Sequence, residues 1–486
     1  MSKAVNNAFY YTIGALVRAF ASFLLLPIFA NILGSAQYGV LSLLQTFSSV
    51  LAILMTFGIE RSLYRLYYDY KDEESQNRFL STLFWSINAT SLIIILLSIA
   101  CAGWLSSILG GVDAFKVVIP VIIYTFLQAL INYSQIIMQV EQKGKSFLMV
   151  SLLLLIVYNI VSLLFLFLYE KTYQSMVYGN LVANAIVLPF AYLRIRKRIK
   201  PQFDFQILKS TLHYSFPLLL MAIFAWALNM SDRLFLANFS SLESLGLYSM
   251  GSKIVSIMVL LDGAIFQAYG PFFFNLANTE EEKTAKTKLK SSNDAITLVV
   301  GVIAFGIVLL SNLFFYTILK PEYRGSLIYV YILVTGSVLA QQTGLLNPMI
   351  YQNKKTREIS FVTITCASIS VGLNRLLIPL YGPIMAACTN LIASCCMFGM
   401  TLILARKNYY IPLNFKLVLG TMAMIAACYV IDVTVTNVFI AFAVKLLLFA
   451  IVAWLVLKFK IIDLDGIKPV VEKLAAPLLE KFNVLR

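Results

Sequence analysis

Apolar residues run along this chain in long stretches separated by short polar connections. The stretches lie at roughly 8–33, 39–59, 79–108, 116–140, 147–169, 173–193, 210–238, 244–270, 291–319, 326–350, 357–379, 382–405, 415–434 and 437–457. Each reaches or approaches the ~20 residues that carry an α-helix across a bilayer. The apolar/polar alternation of an outer-membrane barrel is absent. The pattern predicts an all-α polytopic membrane protein with about 14 transmembrane helices.

Punctuation between the stretches predicts the organisation. A basic linker from Arg194 to Lys209 separates six stretches from eight. The expected parts are an N-terminal six-helix bundle (1–200), a C-terminal six-helix bundle (201–405), two appended transmembrane helices (406–460) and a cytoplasmic amphipathic tail (461–486). The turn Leu33-Gly34-Ser35-Ala36-Gln37-Tyr38-Gly39 joins stretches one and two, and Ser241-Leu242-Glu243-Ser244-Leu245-Gly246 joins seven and eight. Setting Gly39 against Gly246 suggests that the halves are a parallel internal repeat.

Composition agrees with the pattern. The chain has 486 residues, 60% hydrophobic and 13% charged, about half the charge of a soluble domain. A soluble enzyme, a disordered chain and a secreted disulfide scaffold are excluded. The six cysteines all fall in apolar stretches with no metal-ligand spacing, and His213 is the single histidine. The cysteines read as small packing residues, and His213 as interfacial. The start of the chain shows no cleavable signal pattern and reads as the first transmembrane helix.

The net charge of +15 would suggest nucleic acid in a soluble protein. Here its distribution decides. If the N-terminus is cytoplasmic, the inside connections and tail hold 29 Lys and Arg, and the outside connections hold only Lys116, Lys171, Lys320 and Arg324. The remaining five of the 38 basic residues lie within spans. This asymmetry predicts both termini in the cytoplasm and makes most of the charge an orientation signal, so no nucleic-acid partner is expected. The outside acids Asp113, Glu170, Glu243, Glu322 and Asp432 sit on short turns with no room for a catalytic domain, and no P-loop, dinucleotide fingerprint or HExxH motif is present. An enzyme is not expected.

The five intramembrane bases are Arg18, Arg233, Lys253, Arg375 and Lys445, against the comparably placed acids Asp232, Asp262 and Asp294. A charge at the bilayer centre costs about 2.5–3.5 kcal/mol on insertion scales, so such residues should face a wet cavity or a partner. Helical spacing puts Asn7, Tyr11, Gly14 and Arg18 on one stripe, and Tyr124, Gln128, Asn132, Gln135 and Gln139 on another. Amides turned to lipid would lack partners, so these faces should line a cavity or a helix interface. Arg18, Lys253, Arg233, Arg375, Gln128, Asn132, Gln135, Gln139, Asn7 and Tyr11 are the candidate substrate-binding residues. Two readings stay open for Arg233: cavity lining, or a cap or local ion pair with Asp232. Glu60, Arg61 and Arg65 form a vestibule or are ordinary interfacial charge. Asp232 and Asp262 are candidates for ion coupling. Lys445 reads as snorkelling or as a helix–helix contact.

Taken together, Leu33–Gly39, Phe57-Gly58-Ile59-Glu60-Arg61-Ser62-Leu63, Ser231-Asp232-Arg233-Leu234-Phe235-Leu236 and Leu245-Gly246-Leu247-Tyr248 resemble the polysaccharide-transporter branch of the multidrug/oligosaccharidyl-lipid/polysaccharide exporter superfamily, which includes O-antigen and capsule repeat-unit flippases. The resemblance implies two six-helix bundles around a central cavity with alternating access. It implies an undecaprenyl-pyrophosphate-linked oligosaccharide as substrate, crossing the bacterial inner membrane for O-antigen, capsule or exopolysaccharide assembly. It implies a cavity arginine at the place of Arg18. A positive interior suits that anionic head group, and the amides suit sugar hydroxyls. Membrane lipids, and a polymerase and chain-length regulator of the same pathway, are the expected partners. No cofactor is expected beyond a coupling H+ or Na+. The rival reading is a small-molecule or drug antiporter of the same superfamily, which would rely on intramembrane acids.

Overall fold

The computed structural model describes residues 3–458. The tail expected at 461–486 lies outside the described residues. Among them the chain is helical throughout, with fifteen α-helices and no strand. Thirteen helical runs are long and apolar enough to cross a membrane. The first, α1 (Lys3–Thr56), is broken at Gly34, whose backbone sits at φ 77° and ψ 168°. That conformation is open to glycine and strained for any other residue. The break turns one run into two spans, which gives the expected fourteen among the described residues.

The helices that follow are α2 (Ile59–Leu66), α3 (Glu73–Ala100), α4 (Ala102–Ile108), α5 (Ile119–Val140), α6 (Gly144–Leu168), α7 (Tyr173–Ile195), α8 (Phe205–Phe239), α9 (Leu242–Thr279), α10 (Glu282–Thr317), α11 (Ser326–Tyr351), α12 (Thr356–Tyr381), α13 (Ile384–Arg406), α14 (Phe415–Thr434) and α15 (Val438–Lys458). Local chemistry sets their starts. Asp72 caps α3 by accepting from Ser75 N at 2.7 Å, which holds its carboxyl below the usual carboxylate range. Asp204 caps α8, accepting from Gln206 N and Ile207 N.

The chain divides into two compact units, Met1–Gly246 and Leu247–Arg486. The boundary lies beyond the basic linker because α8 packs along α1, α2 and α3. Within the first unit α7 packs on α5 and α6, and α1 on α5 and α6. Its core centres on Ile59, Leu63, Leu83, Ile131, Tyr133 and Ile137. Lipid is as apolar as leucine, so close packing and interhelical hydrogen bonds hold such helices together. Ser48 and Thr125 share a hydrogen bond of 2.7 Å between α1 and α5. Thr90 Oγ1 donates to Met55 O at 2.7 Å, tying α3 to α1, and Trp226 Nε1 donates to Ser49 Oγ at 2.8 Å, tying α8 to α1.

The two repeat glycines meet. A Cβ on Gly39 would overlap Leu242 O and lie 2.8 Å from Gly246 N, and a Cβ on Gly246 would overlap Ser35 O. The basic linker is also pinned. Arg198 Nε reaches Glu141 Oε1 at 2.5 Å and its Nη1 reaches Glu73 Oε1 at 3.0 Å, while Lys200 N donates to Ser81 Oγ at 2.8 Å.

In the second unit α11 packs chiefly against α13, and α10 against α11, α14 and α15. One sequence expectation is corrected here. Asp432 is not on an exposed outer turn. It lies in the last turns of α14, its side chain 3% exposed, paired with Lys445 Nζ at 2.5 Å. Tyr331 and Asn312 also hydrogen-bond its carboxylate, and Lys445 Nζ donates to Tyr331 OH at 3.1 Å. Hydropathy put Asp432 at a span end, but the rotation of α14 about its axis turns it inward.

Candidate functional site

The polar stripe of α1 divides along its length. Asn7 is buried, and its Oδ1 accepts from Gly144 N at 3.1 Å where α6 begins. Tyr11 OH donates to Gln139 O at 3.4 Å, and its ring stands edge-on to Phe147 at 5.1 Å. Gly14 faces Phe147 and Leu148. One turn further, Arg18 is half-buried, and its Nε donates to Gly14 O at 3.3 Å within its own helix. Among the described residues no carboxylate pairs with it. The early part of the stripe thus docks α1 on α5 and α6, and Arg18 carries the uncompensated charge.

The amide stripe of α5 divides the same way. Gln135 is buried and its Nε2 donates to Ser151 Oγ at 3.0 Å. Gln139 Oε1 accepts from Tyr64 OH. Gln128 and Asn132 are half-buried, and no described group hydrogen-bonds their side chains. They retain donors and acceptors for a ligand, the sort of unengaged amide that recognises hydroxyl groups.

Between the spans, Phe57 (φ 50°) and Gly58 (φ 71°) break the chain before α2. Arg61 and Arg65 of α2 are exposed, and Arg65 pairs with Asp69 at 2.5 Å. Glu60 is half-buried, and its Oε1 has no hydrogen-bond partner. Burial pushes its carboxyl up to about 7, with the Arg61 charge opposing.

Asp232 and Arg233 are buried in α8. Arg233 folds back so that its Nη1 lies 3.1 Å from Asp232 Oδ1 and donates to Asn229 O at 3.2 Å. Adjacent helical residues point about 100° apart, and the long arginine stem spans that angle. In the second unit Lys253 is exposed on α9, and Ser256 Oγ donates to its carbonyl at 2.6 Å. Arg375 is exposed on α12, beside a buried Asn374 that accepts from Thr389 Oγ1. Asp262 Oδ1 is buried without a hydrogen-bond partner. Sequence reasoning passed over Gln341 and Gln342, which are 2% and 0% exposed. Their signal was two consecutive amides inside an apolar span.

Residues 28–328 match the polysaccharide biosynthesis protein family. Protein 1 of the Lsg locus of Haemophilus influenzae is 24% identical over 278 residues, 56% of this chain and 66% of that one. An uncharacterized membrane protein of the same organism is 25% identical over 380 residues, covering 76% of this chain and 89% of that one. Among solved structures, the lipid II flippase MurJ in an inward closed conformation superposes with a TM-score of 0.67 at 16% identity, over 93% of this chain and 97% of that chain. An inward-facing multidrug resistance transporter of the MATE family superposes with a TM-score of 0.60 at 15% identity, over 80% of this chain and 95% of that chain. These two likenesses establish the fold. With the family match over more than half its length, the chain is a multi-pass membrane protein that belongs to the polysaccharide biosynthesis protein family.

Proposed function

We infer that this transporter flips a lipid-linked oligosaccharide, carried on undecaprenyl pyrophosphate, from the cytoplasmic to the outer leaflet of a bacterial inner membrane by alternating access. The product would feed O-antigen, capsule or exopolysaccharide assembly. Arg18 carries the reading. It is a half-buried guanidinium within a span, without a carboxylate partner among the described residues, and it is always charged. A planar fork of donors on a permanent cation suits a phosphate. At an effective dielectric of 20, a phosphate charge 4 Å away is worth about 4 kcal/mol. The fold shared with the lipid II flippase MurJ supports the same substrate class, as does the family's place in polysaccharide biosynthesis. Gln128 and Asn132 would supply hydrogen bonds to sugar hydroxyls. The 29-to-4 division of loop charge supports an orientation with both termini in the cytoplasm. A polymerase and chain-length regulator would act on the product.

The test is complementation of a deletion strain. Arg18→Ala should insert normally, lower surface polysaccharide at least tenfold and accumulate the lipid-linked intermediate. Arg18→Lys should recover part of the output, because charge remains without the fork. Wild-type polysaccharide from Arg18→Ala would overturn the assignment. Unchanged drug susceptibility in the deletion strain is expected, and a loss of resistance would favour the antiporter reading.

A further inference from the structure

The basic linker between α7 and α8 is a built surface. Arg198 turns inward to Glu141 and Glu73, and the backbone after it is held to a short stretch of α3. Lys200 N donates to Ser81 Oγ at 2.8 Å, Asp204 N donates to Thr82 Oγ1 at 3.0 Å, and Trp85 Nε1 donates to Lys200 O at 3.1 Å. Beside the linker runs an aromatic row. The Phe84 ring lies 6.1 Å from that of Tyr192 on α7 and 5.4 Å from that of Trp85, centroid to centroid. Trp85 and Tyr192 are exposed. Both belong to helices apolar enough to cross a membrane, and the linker begins where α7 ends. This seam between α3 and α7 therefore lies at headgroup level, the depth at which Trp and Tyr collect.

Charge at this surface differs from that of the other connections. Arg194, Arg196, Lys197, Lys200 and Lys209 are all exposed. Among the described residues no carboxylate pairs with any of them, and the linker's own acid, Asp204, is occupied in capping α8. Elsewhere loop cations do find acids. Lys286 lies 2.7 Å from Glu282, Lys288 2.5 Å from Glu280, Lys355 3.5 Å from Glu358 and Arg78 3.4 Å from Glu74. An orientation signal requires basic residues but not their separation from acids.

We propose that this seam binds the headgroup of an anionic phospholipid, its phosphate against the linker cations and its glycerol and upper acyl chains on Trp85 and Tyr192. Arginine offers a phosphate a planar fork of donors, and lysine a mobile point charge. Basic pockets between helix ends recognise anionic headgroups in this way. The Trp85 N–H is already engaged by Lys200 O, so its ring face is what a lipid meets. Phe203 and Phe205, exposed beside the cations, favour a membrane partner over a soluble anion. A choline or ethanolamine headgroup brings a cation of its own against these five, so selectivity for net negative charge follows.

Purified full-length protein carrying Trp104→Phe, Trp226→Phe and Trp454→Phe keeps Trp85 as its one tryptophan. It is placed in phosphatidylcholine nanodiscs with brominated phosphatidylglycerol or brominated phosphatidylcholine as quencher. The phosphatidylglycerol should quench Trp85 at a mole fraction at least about fivefold lower, the effect of one basic residue at an anionic surface. Arg196→Gln, Lys197→Gln and Lys200→Gln together should remove that preference. Lys283→Gln, Lys290→Gln and Lys354→Gln together lower the net charge equally and should leave it intact. Equal quenching by the two lipids, or a preference that survives the three linker changes, overturns the site. Undecaprenyl phosphate at the same mole fraction should not relieve the quenching; relief would give the seam to a carrier lipid and overturn the phospholipid assignment. If the single-tryptophan chain does not fold, native mass spectrometry of the four-tryptophan chain decides. Fewer retained phosphatidylglycerol molecules after the linker changes support the site, and equal retention overturns it. No transport is measured, so failure here is distinguishable from failure of the flippase assay.

Discussion

At the scale of single residues, Lys445 and Asp432 illustrate how a membrane interior treats charge. Each alone would be costly in a span. Together, 2.5 Å apart and hydrogen-bonded by Tyr331 and Asn312, they form a cluster in which each charge has its counter-charge. Removing one member leaves the other buried and uncompensated, which typically costs about 3–5 kcal/mol. Lys445→Met should therefore lower the apparent melting midpoint in detergent sharply. The double change Lys445→Met with Asp432→Asn should restore much of it, because no lone charge remains. A double variant no more stable than the single one would show that the pair is not the determinant. Arg18 is the contrast. It sits on the same kind of apolar helix, yet its only protein hydrogen bond among the described residues is to a carbonyl one turn away. A partnered base is architecture, and a base left with a helix carbonyl is available to a ligand.

At the scale of elements, the crossing of α1 and α9 decides the first unit. The two segments approach until backbone meets backbone at Gly39 and Gly246. No side chain fits there, and even a methyl group would displace a carbonyl. Overpacking typically costs about 1–3 kcal/mol and sometimes more, so Gly246→Ala should fall in or above that range as a loss of apparent stability. Gly399→Ala is the control. A Cβ there meets nothing within 4 Å, and alanine in place of an open helical glycine is expected to be neutral or slightly stabilising. If the two alanines behave alike, the close crossing is not what these glycines serve. The alignment of Gly39 with Gly246 was legible as a recurring turn-then-glycine pattern. That the two glycines touch each other was not, because a repeat reports similarity and not proximity. The amide stripe of α5 makes the same point. Periodicity put Gln128, Asn132, Gln135 and Gln139 on one face, but the neighbouring helices decided that Gln135 would bond Ser151, Gln139 would bond Tyr64, and the other two would stay unengaged.

At the scale of the whole molecule, loop charge predicts how the protein lies in its membrane. In a variant without its six cysteines, Lys171→Cys should react with a membrane-impermeant maleimide in intact cells. Lys283→Cys should react only after the inner membrane is opened. Reversed labelling would invert the orientation and with it the direction proposed for transport. The number of spans, their order, the glycine break near residue 34 and the excess of positive charge in the interior were all set by the linear chain. Bilayer thickness imposes a length, and unsatisfied backbone imposes the helix, whatever the neighbours do. Tertiary structure decided the rest: the inward turn of Asp432 toward Lys445, the contact of Gly39 with Gly246, and the release of Arg18 from any carboxylate among the described residues. The physical reason is that hydropathy records how deep a residue lies along a span but not the rotation of the helix about its axis. That rotation is chosen by packing and hydrogen bonding between helices, where partners come from distant parts of the chain.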